Sequence, residues 1–185
     1  SYRFTDTDAQ AIDVLEARGK KDRDGKVRAG AIERFYGFNE TRTTQIMSIV
    51  EAGFNDGKTL AEIAAFIRQT YGENYKDQAF TIARTETLSA LSAGIKSHQE
   101  DLKEVFTKVD KSWVSLEDGK VRDSHLLFEQ RGAIDVDEEY APGLLVPRDY
   151  GGDAAEVINC RCSLVNSVPS SAGSNASAIL EAEQQ

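Results

Sequence analysis

Cysteine is scarce in this chain, with 2 in 185 residues, and both sit in one short stretch, Cys160 and Cys162. A C-x-C pair closes too tight a loop for ordinary disulfide geometry, so no disulfide framework is expected and a reducing interior is the default compartment. Positive charge is also short. Lys and Arg number 22 against 31 Asp and Glu, a formal net charge of −9, which argues against a dedicated nucleic-acid coat. No apolar run approaches the length that spans a bilayer, and no secretory signal opens the chain. No phosphate-cradling glycine loop, paired-histidine metal helix or nucleophile elbow occurs. The first residue is Ser1 rather than Met, as in a processed chain or a piece of a longer one.

What is present reads first as helix. Asp6 to Arg18 has a Thr5 or Thr7 cap, the apolar residues Ile12, Val14 and Leu15, and a terminating Gly19. Val27 to Tyr36 and Glu40 to Gly53 follow, parted near Gly37, and the second carries Ile46, Ile49 and Val50 on one face. Thr59-Leu60-Ala61-Glu62 is a capping box: the Thr hydroxyl accepts from the Glu62 amide and the Glu carboxylate reaches back. Leu60, Ile63, Ala64 and Ile67 then form an i, i+3, i+4, i+7 stripe that predicts a packing helix ending before Gly72.

A longer helix is expected over Lys76 to Phe106. Helical periodicity sets Phe80, Arg84, Leu88, Leu91, Ile95, His98 and Leu102 on one stripe, with Arg84 in its middle. A buried guanidinium needs a carboxylate or a set of carbonyl groups in the C-terminal domain, with Asp118, Asp123 and Glu156 as the carboxylate candidates, unless Arg84 snorkels to the rim of the interface. His98 reads as a core-edge residue. Beyond Phe106, short strands are expected at Val105 to Val109, Trp113 to Leu116, Ala133 to Val136, Leu144 to Val146 and Arg161 to Val165. Val121 to Phe128 forms a turn or two of helix, and Pro142, Gly143, Pro147 and Gly151-Gly152 mark turns. The fold class is therefore α+β, a helical N-terminal half whose long helix packs on a small antiparallel-sheet C-terminal domain. Three regions are expected: helices over 1–75, the long helix plus sheet over 76–168, and a flexible Ser/Ala/Gly-rich tail over 169–185.

The polar residues of the C-terminal half cluster in the sequence. Trp113, Asp118, Arg122, Asp123 and His125 form one island, and Glu156, Asn159, Cys160, Arg161 and Cys162 a second. Their convergence would make one polar knot. His125, Cys160 and Cys162 are three good zinc ligands, one short of the four that a structural site usually takes; Asp123, Glu156 or His98 could supply the fourth. A Cys nucleophile beside His125 is a second use of the same atoms. The third is structural, with both thiols as packing groups inside a salt-bridge network of Arg122, Asp118 and Glu156. No metal or other cofactor is assigned.

Taken together, several stretches resemble the phage head morphogenesis family, the Mu F-like and SPP1 gp7-like minor capsid proteins. These are Ile82-Ala83-Arg84-Thr85-Glu86-Thr87; Trp113 with Asp118, Arg122 and His125; Gly132; and Glu156 with Asn159-Cys160-Arg161-Cys162. The likeness covers about Thr59 to Val165, and the order and spacing of the anchors carry it. It implies a minor head protein of a tailed phage or prophage, associated with the portal and other head proteins and incorporated into the procapsid. Its place would be the virion interior, or the host cytoplasm during assembly. Family members also occur as modules fused to portal proteins or toxin domains. Many relatives carry a C-x-x-C where this chain has Arg122 and His125, and a His before Cys-Arg-Cys where it has Glu156 and Val157. The resemblance thus implies that an arginine–carboxylate network does here the structural work that zinc does in them.

The expected role is therefore structural and not enzymatic, with Arg84, Glu86, Trp113, Asp118, Arg122, His125, Glu156, Asn159, Cys160 and Cys162 as fold-locking residues. Self-association fits such a role, a membrane does not, and weak DNA contact is open. Two rivals stand beside it. One is an enzyme or toxin-associated module using Arg84, Glu86, His125 and Cys160. The other is a DNA-contacting factor of genome packaging or ejection, which would bind with a steep salt dependence.

Overall fold

The computed structural model describes residues 38–72 and 76–170. The helices expected at Asp6 to Arg18 and Val27 to Tyr36, and nearly all of the tail, lie outside the described residues. Within them, helix α1 (Glu40–Asn55) is capped by Asn39, whose side chain accepts from the Arg42 amide at 3.0 Å. Helix α2 (Leu60–Tyr71) begins with the expected capping box: Glu62 Oε2 accepts from the Thr59 amide at 2.8 Å, and Thr59 Oγ1 accepts from the Glu62 amide at 3.3 Å. Ile63, Ala64 and Ile67 are its buried stripe. Gly53 lets the two helices close up, since a Cβ there would stand 2.5 Å from Ile63 Cγ1.

Helix α3 (Lys76–Val105) joins two cores. Its first half packs Ala79, Ile82, Ala83 and Ala90 with Ile46, Met47 and Val50 of α1 and Ile63 and Ile67 of α2. Farther along, Ile95 packs on the C-terminal core. The face that is buried corrects the expected stripe. Phe80 is 36% exposed, Leu88, Leu91, Ile95 and Leu102 are half-buried, and the deeply covered positions are small or polar: Thr85, Glu86, Ser89, Ser92 and Gln99. With neighbours on more than one side, the helix meets them through short side chains that allow close approach, and a hydrophobic stripe of period 3.6 does not mark such a face. His98 sits half-buried at the edge, as expected.

The C-terminal unit is a three-stranded antiparallel sheet in the order β2-β1-β3. Strand β1 (Asp110–Val114) is central, flanked by β2 (Ile134–Asp135) and β3 (Ser163–Ser167), and Trp113 faces Leu164 across the ladder. Helix α4 (Asp123–Gln130) and the single turn α5 (Ala154–Val157) complete it. The α+β architecture is thus as expected, with shifted strands. Val105 closes α3 and the residues up to Val109 lead into β1 without joining it, and Leu144 to Val146 forms no strand, only an Ala141–Leu144 bridge. Pro142 and Pro147 flank that stretch and lack the amide donors a ladder needs. Gly143 and Gly151 then pass backbone against backbone, and a Cβ on either would collide with the other.

Alternation along β1 turns Lys111 and Trp113 inward, and Ser115 just after the strand is buried as well. Trp113 is the hub of the core, with T-shaped contacts to His125, Phe128 and Tyr140 at centroid distances of 5.0, 5.1 and 4.9 Å. Lys111 is fully buried beside it. Its ammonium donates to the Val136 carbonyl at 2.7 Å and lies 5.5 Å from the Tyr140 ring centroid.

Candidate functional site: a buried histidine–dithiol knot

The two islands of polar residues do converge, because β1, α4 and the loop entering β3 meet at Trp113. Residue 125 falls one turn into α4, on the side facing the sheet, so the imidazole of His125 enters the core and is 1% exposed. Its Nδ1 lies 3.4 Å from Cys162 Sγ and 3.7 Å from Cys160 Sγ. Its Nε2 lies 2.7 Å from Glu156 Oε2, a close but bent approach, and Ser124 Oγ donates to the same oxygen at 2.9 Å. Cys160 and Cys162 are free thiols, 1% and 4% exposed.

The thiols are not equivalent. A hydrogen bond from Cys162 holds Cys160 far below an ordinary thiol, at about 4, with His125 and the nearby Arg148 guanidinium acting in the same direction. Cys162, as the donor and as a buried group, is pushed up. The cation that faces the sulfurs is Arg148, in a segment that reads in the sequence only as a turn. It is 4% exposed, and its Nη1 donates to the carbonyls of Cys160 at 3.2 Å and Cys162 at 2.5 Å and sits 3.8 Å from Cys160 Sγ. Its Nη2 donates to Ser92 Oγ at 2.8 Å, while Ser89 Oγ of α3 donates to the Arg148 carbonyl at 3.1 Å. Arg148 has φ of +63°, a left-handed backbone that a bulky side chain seldom adopts. The polar residues of α3 therefore hold this turn in place.

The other expected residues surround the knot without forming the expected network. Arg84 meets no carboxylate there: its Nη1 donates to Asn159 Oδ1 at 2.6 Å, and its guanidinium lies 4.6 Å from the Phe80 ring centroid. The helix delivers Arg84 to the loop just ahead of the cysteines, and Asn159, with φ of +58°, turns its amide outward to receive it. The Asn159 amide in turn donates to Thr85 Oγ1 at 2.9 Å. Arg122 donates to the Ile158 carbonyl at 2.6 Å. Asp118 is held by both guanidinium nitrogens of Arg161, which lower its pKa to about 2. Asp123 is exposed at the start of α4. Glu86 is buried and accepts from the Tyr150 hydroxyl at 2.7 Å.

Two corrections follow. Arg122, expected in a network with Asp118 and Glu156, instead donates to the Ile158 carbonyl, Arg84 takes the neutral Oδ1 of Asn159 rather than any of the three candidate carboxylates, and the arginine that binds Asp118 is Arg161. A guanidinium has five donors, and backbone carbonyls exposed by an irregular loop satisfy them without the cost of burying an opposing charge. The knot also includes Arg148, Ser89, Ser92, Ser124 and Tyr150, which the sequence reading missed. Pro147 ahead of Arg148 and Gly151-Gly152 after it drew that reading to a surface turn. The one signal for a buried contact was the run of hydroxyls on α3.

The chemistry available is that of two sulfurs and an imidazole nitrogen in one buried cluster, all three donor atoms lying within 4.8 Å of one another. Among the described residues, no helix is long and apolar enough to cross a membrane. The family described as Phage Mu protein F like protein matches residues 44–165. The chain is 32% identical over 142 residues to the NAD(+)–arginine ADP-ribosyltransferase EFV of Enterococcus faecalis, covering 74% of this chain and 28% of that protein. It thus spans less than a third of that relative's length. No solved structure matches.

Proposed function

Because this chain belongs to the phage Mu F-like family, the head morphogenesis family its anchor residues resemble, we propose that it is a minor head protein of a tailed phage or prophage. It associates with the portal and is incorporated into the procapsid, so that it ends in the virion interior. In this reading the histidine–dithiol knot locks the C-terminal unit, and the chain is not an enzyme. One observation carries the choice of lock over reaction centre. His125, Cys160 and Glu86 are at most 1% exposed, whereas a nucleophile and its base need room for a reacting atom about 3 Å from each.

The test replaces His125 with Ala in the full chain and follows unfolding and co-assembly with the portal protein of the same phage. A lock loses stability, and portal association falls with it. An enzyme keeps its fold and loses turnover, so a stable variant that still joins the portal overturns the lock.

One observation favours a second reading. The relative from Enterococcus faecalis is named as an NAD(+)–arginine ADP-ribosyltransferase, and the shared region would then be a module carried with a toxin activity. Incubating the chain with NAD(+) and an arginine substrate tests whether this region itself carries that activity. We expect no transfer, and transfer abolished by Glu86→Gln would establish the enzyme.

A further inference from the structure

The contacts of His125 fit a group that coordinates all three donors at once. A tetrahedral zinc with Zn–S near 2.3 Å and Zn–N near 2.0–2.1 Å sets its ligand atoms roughly 3.5–3.8 Å apart. In this chain His125 Nδ1 stands 3.4 Å from Cys162 Sγ and 3.7 Å from Cys160 Sγ. The remaining nitrogen, Nε2, faces the Glu156 carboxylate at 2.7 Å. A ligating histidine usually meets a carboxylate or carbonyl there, which selects the tautomer that leaves Nδ1 as a lone-pair donor. Ser124 Oγ fixes the same carboxylate oxygen.

Two further observations point the same way. Arg148 Nη1 lies 3.8 Å from Cys160 Sγ, as an outer donor to a metal-bound thiolate would. The indole Nε1 of Trp113, on the side of Cys162, is buried without an oxygen or nitrogen acceptor, and a metal thiolate is the acceptor such an N–H would serve. Soft thiolate with imidazole selects zinc over the hard cations that oxygen ligands hold.

We propose that His125 Nδ1, Cys160 Sγ and Cys162 Sγ form a zinc site in this chain, with Glu156 as the residue that orients the imidazole. The proposal stands apart from the head-assembly reading, since its test measures metal and stability and not assembly. When bound, the ion would cross-link α4 to the loop entering β3 and raise stability by mass action.

The experiment uses the full chain without a metal-binding tag. Elemental analysis is expected to find about one zinc per chain. The metal-stripped chain, titrated with cobalt(II), is expected to show thiolate-to-cobalt charge-transfer absorption that zinc then removes, and its melting temperature is expected to rise with zinc. Glu156→Gln is expected to weaken metal affinity about 10–100-fold while the chain stays folded. Cys162→Ser should abolish the cobalt signal, but the Glu156 variant carries the test if the Ser variant does not fold. A folded chain that gives no cobalt–thiolate absorption overturns the proposal. So does zinc retained in full by a folded Cys162→Ser variant, because the ion would then lie elsewhere.

Discussion

Arg148 Nη1 bridges the backbone carbonyls of Cys160 and Cys162, at 3.2 and 2.5 Å, and sits 3.8 Å from the Cys160 sulfur. One buried guanidinium thus ties the turn after Val146 to both cysteines, and its other arm reaches Ser92 on the long helix. That side chain is one of the ties that join the C-terminal unit to α3, beside Arg84–Asn159 and Tyr150–Glu86.

Replacing Arg148 with Met should therefore be among the most damaging single changes. It strands two carbonyls and a hydroxyl in the interior, and removing one partner of a buried charged cluster costs about 3–5 kcal/mol. Arg148→Lys should recover only part of this, because an ammonium cannot span the two carbonyls and Ser92 together. Urea unfolding monitored by Trp113 fluorescence measures both variants, and a loss under ~1 kcal/mol for Met would contradict the role.

Glu86 and Tyr150 link α3 to the same turn through a 2.7 Å hydrogen bond. Tyr150→Phe keeps the ring and removes the donor, so a buried carboxyl oxygen loses that partner at a cost of about 1–3 kcal/mol. Thermal and urea midpoints should both fall. Unchanged midpoints would mean that the other contacts of Glu86 suffice to hold it.

At the α1–α2 contact, Gly53→Ala would press a methyl group to 2.5 Å from Ile63 Cγ1. The helix gains some propensity from alanine, but overpacking typically costs about 1–3 kcal/mol and should win. Gly53→Ala should cost less in an Ile63→Ala background, since that change removes both Cγ1 and Cδ1 of the facing side chain. A double-mutant cycle on unfolding free energies reads the coupling.

Lys111 supplies a pH signature. Burial lowers its ammonium from 10.5 to about 8. Between those values the unfolded chain holds a proton that the folded chain releases, so stability from this group rises as pH climbs from about 8 toward 10.5. Relative to Lys111→Met, wild type should gain on the order of 2 kcal/mol across that window. Tyr140, pushed up from 10.0 to about 12 by burial, lowers stability above about pH 10 in both proteins and so cancels in the difference. Parallel urea titrations at several pH values check it, and a constant difference between the two proteins would rule out the assignment.

Local rules were legible in the sequence wherever neighbouring residues settle the outcome. The Thr59–Glu62 capping box, the buried stripe of α2 and the length of α3 depend on hydrogen bonds and side-chain spacing within a few turns, and they are as read. The grouping of Trp113, His125, Cys160 and Cys162 was also readable, since unusual side chains at loop ends had few other places to go. The partners of the arginines were not. Whether Arg84 meets a carboxylate or Asn159 depends on how the 158–159 loop turns, and whether Arg148 lies in solvent or under two cysteines depends on the hydroxyls of a helix over fifty residues away. Composition and spacing determine which groups must be satisfied. Only the tertiary structure decides by which atoms, because a guanidinium accepts any well-placed oxygen and the chain must be folded before those oxygens have positions.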